Sequence, residues 1–461
     1  MRKINKIFYS IALVGLVLSS TGCMKDFLNP TLEQAKDLEK SINTDEDLFG
    51  LLKGGLNRMT SSSYYGRDII INGECRTDNT FANGNSGRFT TEAGMVYNPN
   101  SNVGIWTQAY RVISSMNLII NADASKLEGD AAYIAHLQGE ALAIRALVHF
   151  DLMRNYGQQY VGGNLGVPYV TEFKGNEESP KRNTVDEVKA AIYKDLDDAF
   201  AKMDDAYFDI SKEFVSKYTA KAIESKVATY FGDWSRAETA SKAVIDYGQY
   251  EIVPAADYVG SFAIRGSKNS IFELAFSSTD NEGINGLGYI YRYADGYGDI
   301  QVLDTVAKIF DANDVRLNIL GVETTSGGGK LLRNMGKYPE LNGYDNVNVI
   351  RYEEIILNYA EALFHNGGDA LTQLNLITAA RNATAYTAVT EDDIFNERRK
   401  ELMFEGFRFD DLVRSGKGIV KFDIKQNISA TIPPGDYRLA FPIPVKETDA
   451  NSNMKQNDGY N

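Results

Sequence analysis

Three glutamates recur at i+4 within TEDDIFNERRKELMFEGFRFDDLVRSGK, residues 390 to 417: Glu397, Glu401 and Glu405. Carboxylates do general acid–base chemistry when two of them face each other across a cleft. These stand in a row, with Arg398, Arg399, Arg408 and Arg414 interleaved. The pattern fits a semi-buried ion-pair network in which Arg398, Glu401, Glu405 and Arg408 hold the segment in place. A second group of residues has the types needed to bind rather than to react. Tyr289, Tyr291 and Tyr293 alternate, so an extended chain would put three phenol rings on one face, with Tyr297 just beyond them. Such a row suits a flat sugar ring, and a strand packing the same rings into the body of the protein fits it equally. Arg76, Asp78 and Asn79 can pair with hydroxyl groups, and Trp106 offers a further aromatic face, which completes the candidate ligand set.

Other chemistry finds little support. His136, His149 and His365 are scattered over helical stretches, with no HExxH, EF-hand loop or paired CxxC beside them, and neither a metal nor a cofactor is expected. TTSGGGKLL, 324 to 332, lacks both the first glycine and the Ser or Thr of a phosphate loop. GNSGR, 84 to 88, lacks the frame of a hydrolase elbow. A glycan-degrading enzyme would need two facing acids, for which Asp280, Glu282, Asp295 and Asp299 are the residues to consider.

The elements that must position these residues are mostly helical. Thr390 is an N-cap followed by Glu391, Asp392 and Asp393 at the positive end of the helix dipole. Gly406 sits mid-pattern, where it costs about 1 kcal/mol unless a backbone approaches closely or the helix breaks. TDED at 44 to 47 and TVDE at 184 to 187 open two more helices. Residues 105 to 122 and 133 to 156 read as long helices, the second carrying Ala141, Ala143 and Ala146 for tight contact. Residues 217 to 246 form two helices joined at Gly232 and Asp233, and 349 to 381 a similar pair turning at Gly367 and Gly368. Their small residues resemble those of tetratricopeptide units. Two stretches break the helical pattern: about 60 to 104, an irregular run with isolated aromatics, and about 250 to 345, rich in Gly, Tyr and Asn, where SIFELAF reads as a strand.

The chain has 461 residues and a formal charge of −14 without any basic run, which argues against a nucleic-acid partner. Arg2, Lys3 and Lys6 precede an apolar stretch from Ile7 to Leu18. At roughly 12 residues it is too short to span a bilayer, so residues 1 to 22 are expected to be an export signal. Ser20, Thr21, Gly22 and Cys23 resemble a bacterial lipobox, with Ser20 in place of the usual leucine. This implies lipidation of Cys23, with residues 23 to 33 as anchor and tether; the alternative is a secreted protein with a free cysteine. With Cys23 acylated, Cys75 has no disulfide partner, and stability must come from a packed core.

ERRKELMFEGFRFDDLVR resembles the C-terminal signature of the SusD/RagB family of nutrient-binding lipoproteins of the Bacteroidetes. WTQAYRVISSMN, EALAIRA, FGDWSRAETASKAV, IRYEEIILNYAEA and the PIP ending extend the resemblance over nearly the whole chain. It implies a mostly α, SusD-like fold: one domain over 34 to 461, with four stacked tetratricopeptide-like helix pairs and a loop-rich half carrying a few short strands and the ligand site. It also implies a surface lipoprotein of the outer membrane that is no enzyme. Such a protein binds an oligosaccharide or polysaccharide, or in a subset a peptide, and delivers it to a SusC-like TonB-dependent transporter.

Overall fold

The computed structural model describes residues 41–172, 179–293, 297–325 and 327–460. The export signal, Cys23 and the tether lie outside them, as does Asp295. Among the described residues no helix is long and apolar enough to cross a membrane.

Helices form where the caps predict. Helix α1, Asp45–Met59, starts at Thr44, whose hydroxyl and Asp47 exchange the two bonds of a capping box. Residues 60 to 104 are less irregular than expected, because they contain a helix, α2, Asp68–Cys75, and a strand, β1, Thr80–Ala82. The α2 sequence DIIINGEC is buried on all sides from Ile69 to Cys75, so it shows no amphipathic period. Helices α3, Val103–Ile120, and α4, Ala131–Tyr156, pack together, and Ala141, Ala143 and Ala146 are fully buried. α5, Val185–Lys202, begins at the capping box of Thr184 and Glu187. Arg145 of α4 ties these three helices, donating at 2.7 and 2.8 Å to Asp195 of α5 and at 2.8 Å to Asn117 of α3.

α6, Lys217–Phe231, and α7, Trp234–Tyr247, form the next pair, with Gly232 left-handed at φ 72° in the turn. Short strands follow: β2, Ser270–Leu274; β3, Ile300–Val302; β4, Leu320–Thr324; β5, Lys330–Asn334; and β6, Val347–Arg351. Each joins one antiparallel partner, β1 with β3, β2 with β6 and β4 with β5. The helix expected from residue 349 starts later, because VNVIR alternates β-branched and polar residues and pairs with β2 before the chain turns into α9, Tyr352–Asn366. α10, Ala370–Ala380, packs back on α9, and α9 packs on α7, which continues the stack of helix pairs.

The segment at 390 to 417 is two helices rather than one. α11, Glu391–Leu402, carries the predicted Thr390 cap. The chain then breaks through Phe404 at φ 70° and Gly406 at φ 83°, and α12, Arg408–Arg414, resumes. At the break the backbone of Gly406 lies against α2. A Cβ on Gly406 would stand 2.9 Å from Ile70 Cα, and one on Gly73 would stand 2.2 Å from the Gly406 carbonyl oxygen. Both reasons that could excuse a glycine here, a break and a close approach, operate together.

Glu74 of α2 accepts the Gly406 N–H at 3.0 Å and a bond from Asn79 at 3.2 Å. Burial outweighs those two bonds and pushes its carboxyl up from 4.5 to about 7. Between these values the folded chain holds a proton that the unfolded chain has lost. Stability from this group therefore falls as pH rises from 4.5 through 7, by roughly 3 kcal/mol in all. Glu74→Gln cannot ionise, so its melting temperature relative to the wild type is expected to rise by about 3 °C between pH 5 and pH 8. A gap between the two melting curves that stays constant with pH would refute the assignment.

Candidate functional site

The carboxylates at 397 to 405 are buried and engaged. Glu401 receives Arg316 at 3.2 Å and both Arg351 and Arg381 at 2.8 Å. Although burial opposes ionisation, Arg381 and Arg351 hold its carboxyl well below the usual range. Glu405 pairs with Arg351 at 2.9 Å and with the fully buried Lys337 at 2.5 Å, and these cations hold it low against burial. Glu397 pairs with Arg316 and Lys400, each at 2.6 Å. Arg398 and Arg408 turn elsewhere, to Asp411 at 3.2 Å and to Asp78 at 2.7 Å. The counter-charges of the glutamate row thus come mainly from residues 316 to 381, not from the arginines interleaved with it. No pair of these acids faces across an open cleft.

The tyrosine row is not extended. Residues Leu287–Tyr291 form a single helical turn, α8, so Tyr289 and Tyr291 point about 200° apart instead of sharing a face. Tyr291 is fully buried, stacked on Tyr338 with ring centroids 6.3 Å apart and packed on Phe404 at 5.5 Å. Tyr293 is half-buried, its ring over the buried Arg333 guanidinium. Three more of the expected ligand residues are interior as well. Arg76 lies between the rings of Phe409 and Phe441, 3.6 and 4.2 Å from their centroids. Asn79 joins Glu74 to Arg399, and Trp106 packs against Tyr110 and Tyr156. Asp78 is held by Arg399 and Arg408. Arg76, Asp78 and Asn79 tie the end of α2 and the approach to β1 to α11 and α12, whereas Trp106 packs α3 on α4.

The structure does bring Tyr289 and Tyr297 together, with centroids 6.2 Å apart and planes inclined by 52°. Tyr297 is 41% exposed. The Arg88 guanidinium covers its back face at 4.5 Å. Arg88 also pairs with the buried Asp299 at 2.8 Å and donates to Asn285 Oδ1 at 3.1 Å, which Arg67 reaches at 3.4 Å. Loop 83–88 is sewn to the chain at 297–299 as a continuation of the β1–β3 ladder. Asn83 N donates to Asp299 O at 2.9 Å, Asn85 Nδ2 to Tyr297 O at 3.2 Å, and Ser86 N to Asp299 Oδ1 at 3.0 Å. The result is a partly exposed aromatic ring with the Arg88 guanidinium over one face and Asn85 bonded to its backbone carbonyl. Arg88 and Asn285 stood outside the expected ligand set: they lie in NGNSGR and NEGING, ordinary polar loops far apart in sequence that the fold brings together.

Of the acids considered for glycan cleavage, Asp280 accepts from Asn57 at 3.1 Å, Glu282 accepts the Ser62 N–H at 2.7 Å, and Asp299 is bound to Arg88. Among the described residues no group of three His, Cys, Asp or Glu could hold a metal ion. His149 is pushed down to about 3 by burial, stacks on Tyr169 and accepts the Val170 N–H. His365 stacks on Trp234 at 4.0 Å. A cavity of about 50 Å³ beside Gly406 is lined by paired charges, among them Arg154 with Asp410 and Lys226 with Glu354.

Comparison with known proteins gives consistent results. Residues 329–460 match a model described as the SusD family, and residues 32–229 match one described as starch-binding, associating with outer membrane. The Starch-binding protein SusD of Bacteroides thetaiotaomicron is 34% identical over 127 residues, which span 27% of this chain and only 22% of that protein. A SusD-like protein of Bacteroides ovatus is 22% identical over 87% of this chain and 81% of its own length. The crystal structure of a SusD superfamily protein from Bacteroides vulgatus superposes with a TM-score of 0.84 at 28% identity, covering 91% of this chain and 100% of that one.

Proposed function

We propose that this chain, which belongs to the SusD family, captures a nutrient glycan at the Tyr297 surface and delivers it, chemically unchanged, to a TonB-dependent transporter of the outer membrane. The exposed ring of Tyr297 carries this reading. A pyranose presents a face of C–H groups that docks on a flat aromatic surface, while its hydroxyls need donors and acceptors at the edge. Asn85, bonded to the Tyr297 backbone carbonyl, and Asn285, bonded to Arg88, are the nearby carboxamides that could meet those hydroxyls, and Tyr289 supplies an inclined second wall. Because the ring is held from behind by Arg88, little conformational entropy is lost when a sugar settles on it.

Delivery to a transporter needs a protein that binds and releases without reacting. The engaged state of Asp280, Glu282 and Asp299 is in keeping with that. Lipidation at Cys23 would keep the protein at the membrane.

Calorimetry with starch, xylan and mannan tests the reading. Tyr297→Ala is expected to weaken the glycan that binds by about tenfold, equivalent to ~1.4 kcal/mol. Tyr291→Phe should leave affinity unchanged, because that ring is interior and its hydroxyl has no partner. Equal affinity of the wild type and a folded Tyr297→Ala variant would remove the surface from consideration. Binding of oligopeptides and of no glycan would replace the ligand class.

A further inference from the structure

We infer that the Arg88–Asp299 pair makes the Tyr297 surface selective for neutral glycans, with Asp299 as the residue that excludes acidic ones. The inference rests on the reading of this surface as the glycan site. Arginine is the side chain that usually recruits carboxylates and sulfates, through its planar fork of donors. Two arginines flank the site and a third lies in the same segment, so an acidic sugar would find ready partners if they were free.

Each of them is already matched. Arg88, 24% exposed, meets the fully buried Asp299 at 2.8 Å. Arg67 meets Asp68 at 2.7 Å, and Arg292 meets Glu323 at 3.2 Å. Arg333, behind Tyr293, is wholly buried and donates to the carbonyls of Gly298 and Ile300. Among the described residues of this surface no arginine is left without a carboxylate or carbonyl partner. The chain as a whole is acidic, at −14, so no long-range field draws an anion in.

Asp299 does more than neutralise Arg88. It is fixed by the Ser86 N–H on one oxygen and takes Arg88 Nε at 3.1 Å on the other, so the guanidinium is held over one face of Tyr297. The cation therefore braces the aromatic ring without offering a charge to the ligand. The carboxamides bonded to Tyr297 and to Arg88, Asn85 and Asn285, are uncharged and suit hydroxyls.

The test compares neutral and acidic polysaccharides on the purified wild-type protein at about 50 mM salt, where electrostatic attraction is weakly screened. Starch, xylan and mannan form the neutral set; polygalacturonate, alginate and chondroitin sulfate the acidic one. Binding confined to a neutral member supports the inference. Tighter binding of an acidic member would overturn it while leaving the glycan reading intact, whereas binding to neither set would remove both. Asp299→Asn keeps the shape and an acceptor for Ser86 while freeing the Arg88 charge. Provided that the variant melts as a folded protein, it should gain at least fivefold affinity for polygalacturonate, and that gain should vanish at high salt. A folded Asp299→Asn variant with wild-type selectivity would sink the proposal, as would acidic-glycan binding that persists in Arg88→Gln/Asp299→Asn.

Discussion

Glu401→Ala is expected to lower the melting temperature by about 5 °C and to leave glycan affinity unchanged in the folded protein. Three guanidinium groups converge on this one carboxylate, and all of them are buried. Arg316 would keep Asp314 and Glu397, Arg351 would keep Glu353 and Glu405, and Arg381 would keep Glu353. The remaining acids are then shared among cations that have lost a full negative charge between them. Breaking a buried network from one side costs about 3–5 kcal/mol, because the surviving charges stay desolvated. At roughly 2.1 cal/mol/K of unfolding entropy per residue, a chain of this length converts that into the stated shift.

Glu405→Ala follows the same logic with a smaller loss, since it leaves only Arg351 and Lys337 short of a partner. Both carboxyls are held below their ordinary range in the folded chain. Their stabilising contribution is therefore complete above the ordinary glutamate range and disappears as pH falls through the lowered folded values. Thermal melts from pH 6 down to pH 3 should show wild type and Glu401→Ala converging. A drop in glycan affinity without a drop in melting temperature would return these acids to function.

The helical scaffold was legible because its signals are local. Thr44, Thr184 and Thr390 each announce a helix with an acid three residues on, and each forms the capping box that such spacing favours. Gly232 and Gly367 mark turns by adopting the left-handed conformation that glycine accepts. α2 was not legible, since a helix buried from Ile69 to Cys75 has no polar face to set a period. The alternating tyrosines misled for a related reason. A period of two implies a strand only if the chain is extended, and Gly286 and Gly288, against which Gly343 and the Glu340 carbonyl pack closely, sit where the chain winds into one helical turn. Close approach of backbones wins over side-chain periodicity there.

The proposed ligand surface was half legible. Tyr289 and Tyr297 are the kind of residue that a sugar needs, and their chemistry singles them out. Arg88 and Asn285 have no such signal, and Asp299 drew notice only as an acid; the pairing of Arg88 with Asp299 depends on the register Thr80↔Val302 that places loop 83–88 beside residues 297–299. Arg76, Asn79 and Trp106 show the opposite failure. Their types suit binding, but their surroundings, rings on both sides of Arg76 and helices around Trp106, make them part of the frame. Residue type locates candidates, and only long-range pairing sorts surface from interior.

Gly406→Ala and Gly73→Ala carry the second large expected effect, lowering stability by about 2–5 kcal/mol for Gly406, where strain and overpacking add, and by about 1–3 kcal/mol for Gly73. The two glycines are the contact between α2 and the break that separates α11 from α12. For Gly406 the cost has two parts, a left-handed φ of 83° and a Cβ 2.9 Å from Ile70 Cα, neither of which a rotamer change relieves. For Gly73 the backbone is helical, so alanine gains about 1 kcal/mol of helix propensity, but its methyl would stand 2.2 Å from the Gly406 carbonyl oxygen. Either substitution forces the two backbones apart and stretches the Gly406 N–H bond to Glu74. Once separated, the second methyl costs less than the first, so the double variant should lose clearly less than the sum of the single losses. Denaturant unfolding of the four proteins measures this. Additive losses would mean that the glycines act at independent places, and wild-type stability of Gly73→Ala would mean that α2 does not touch the break as closely as described.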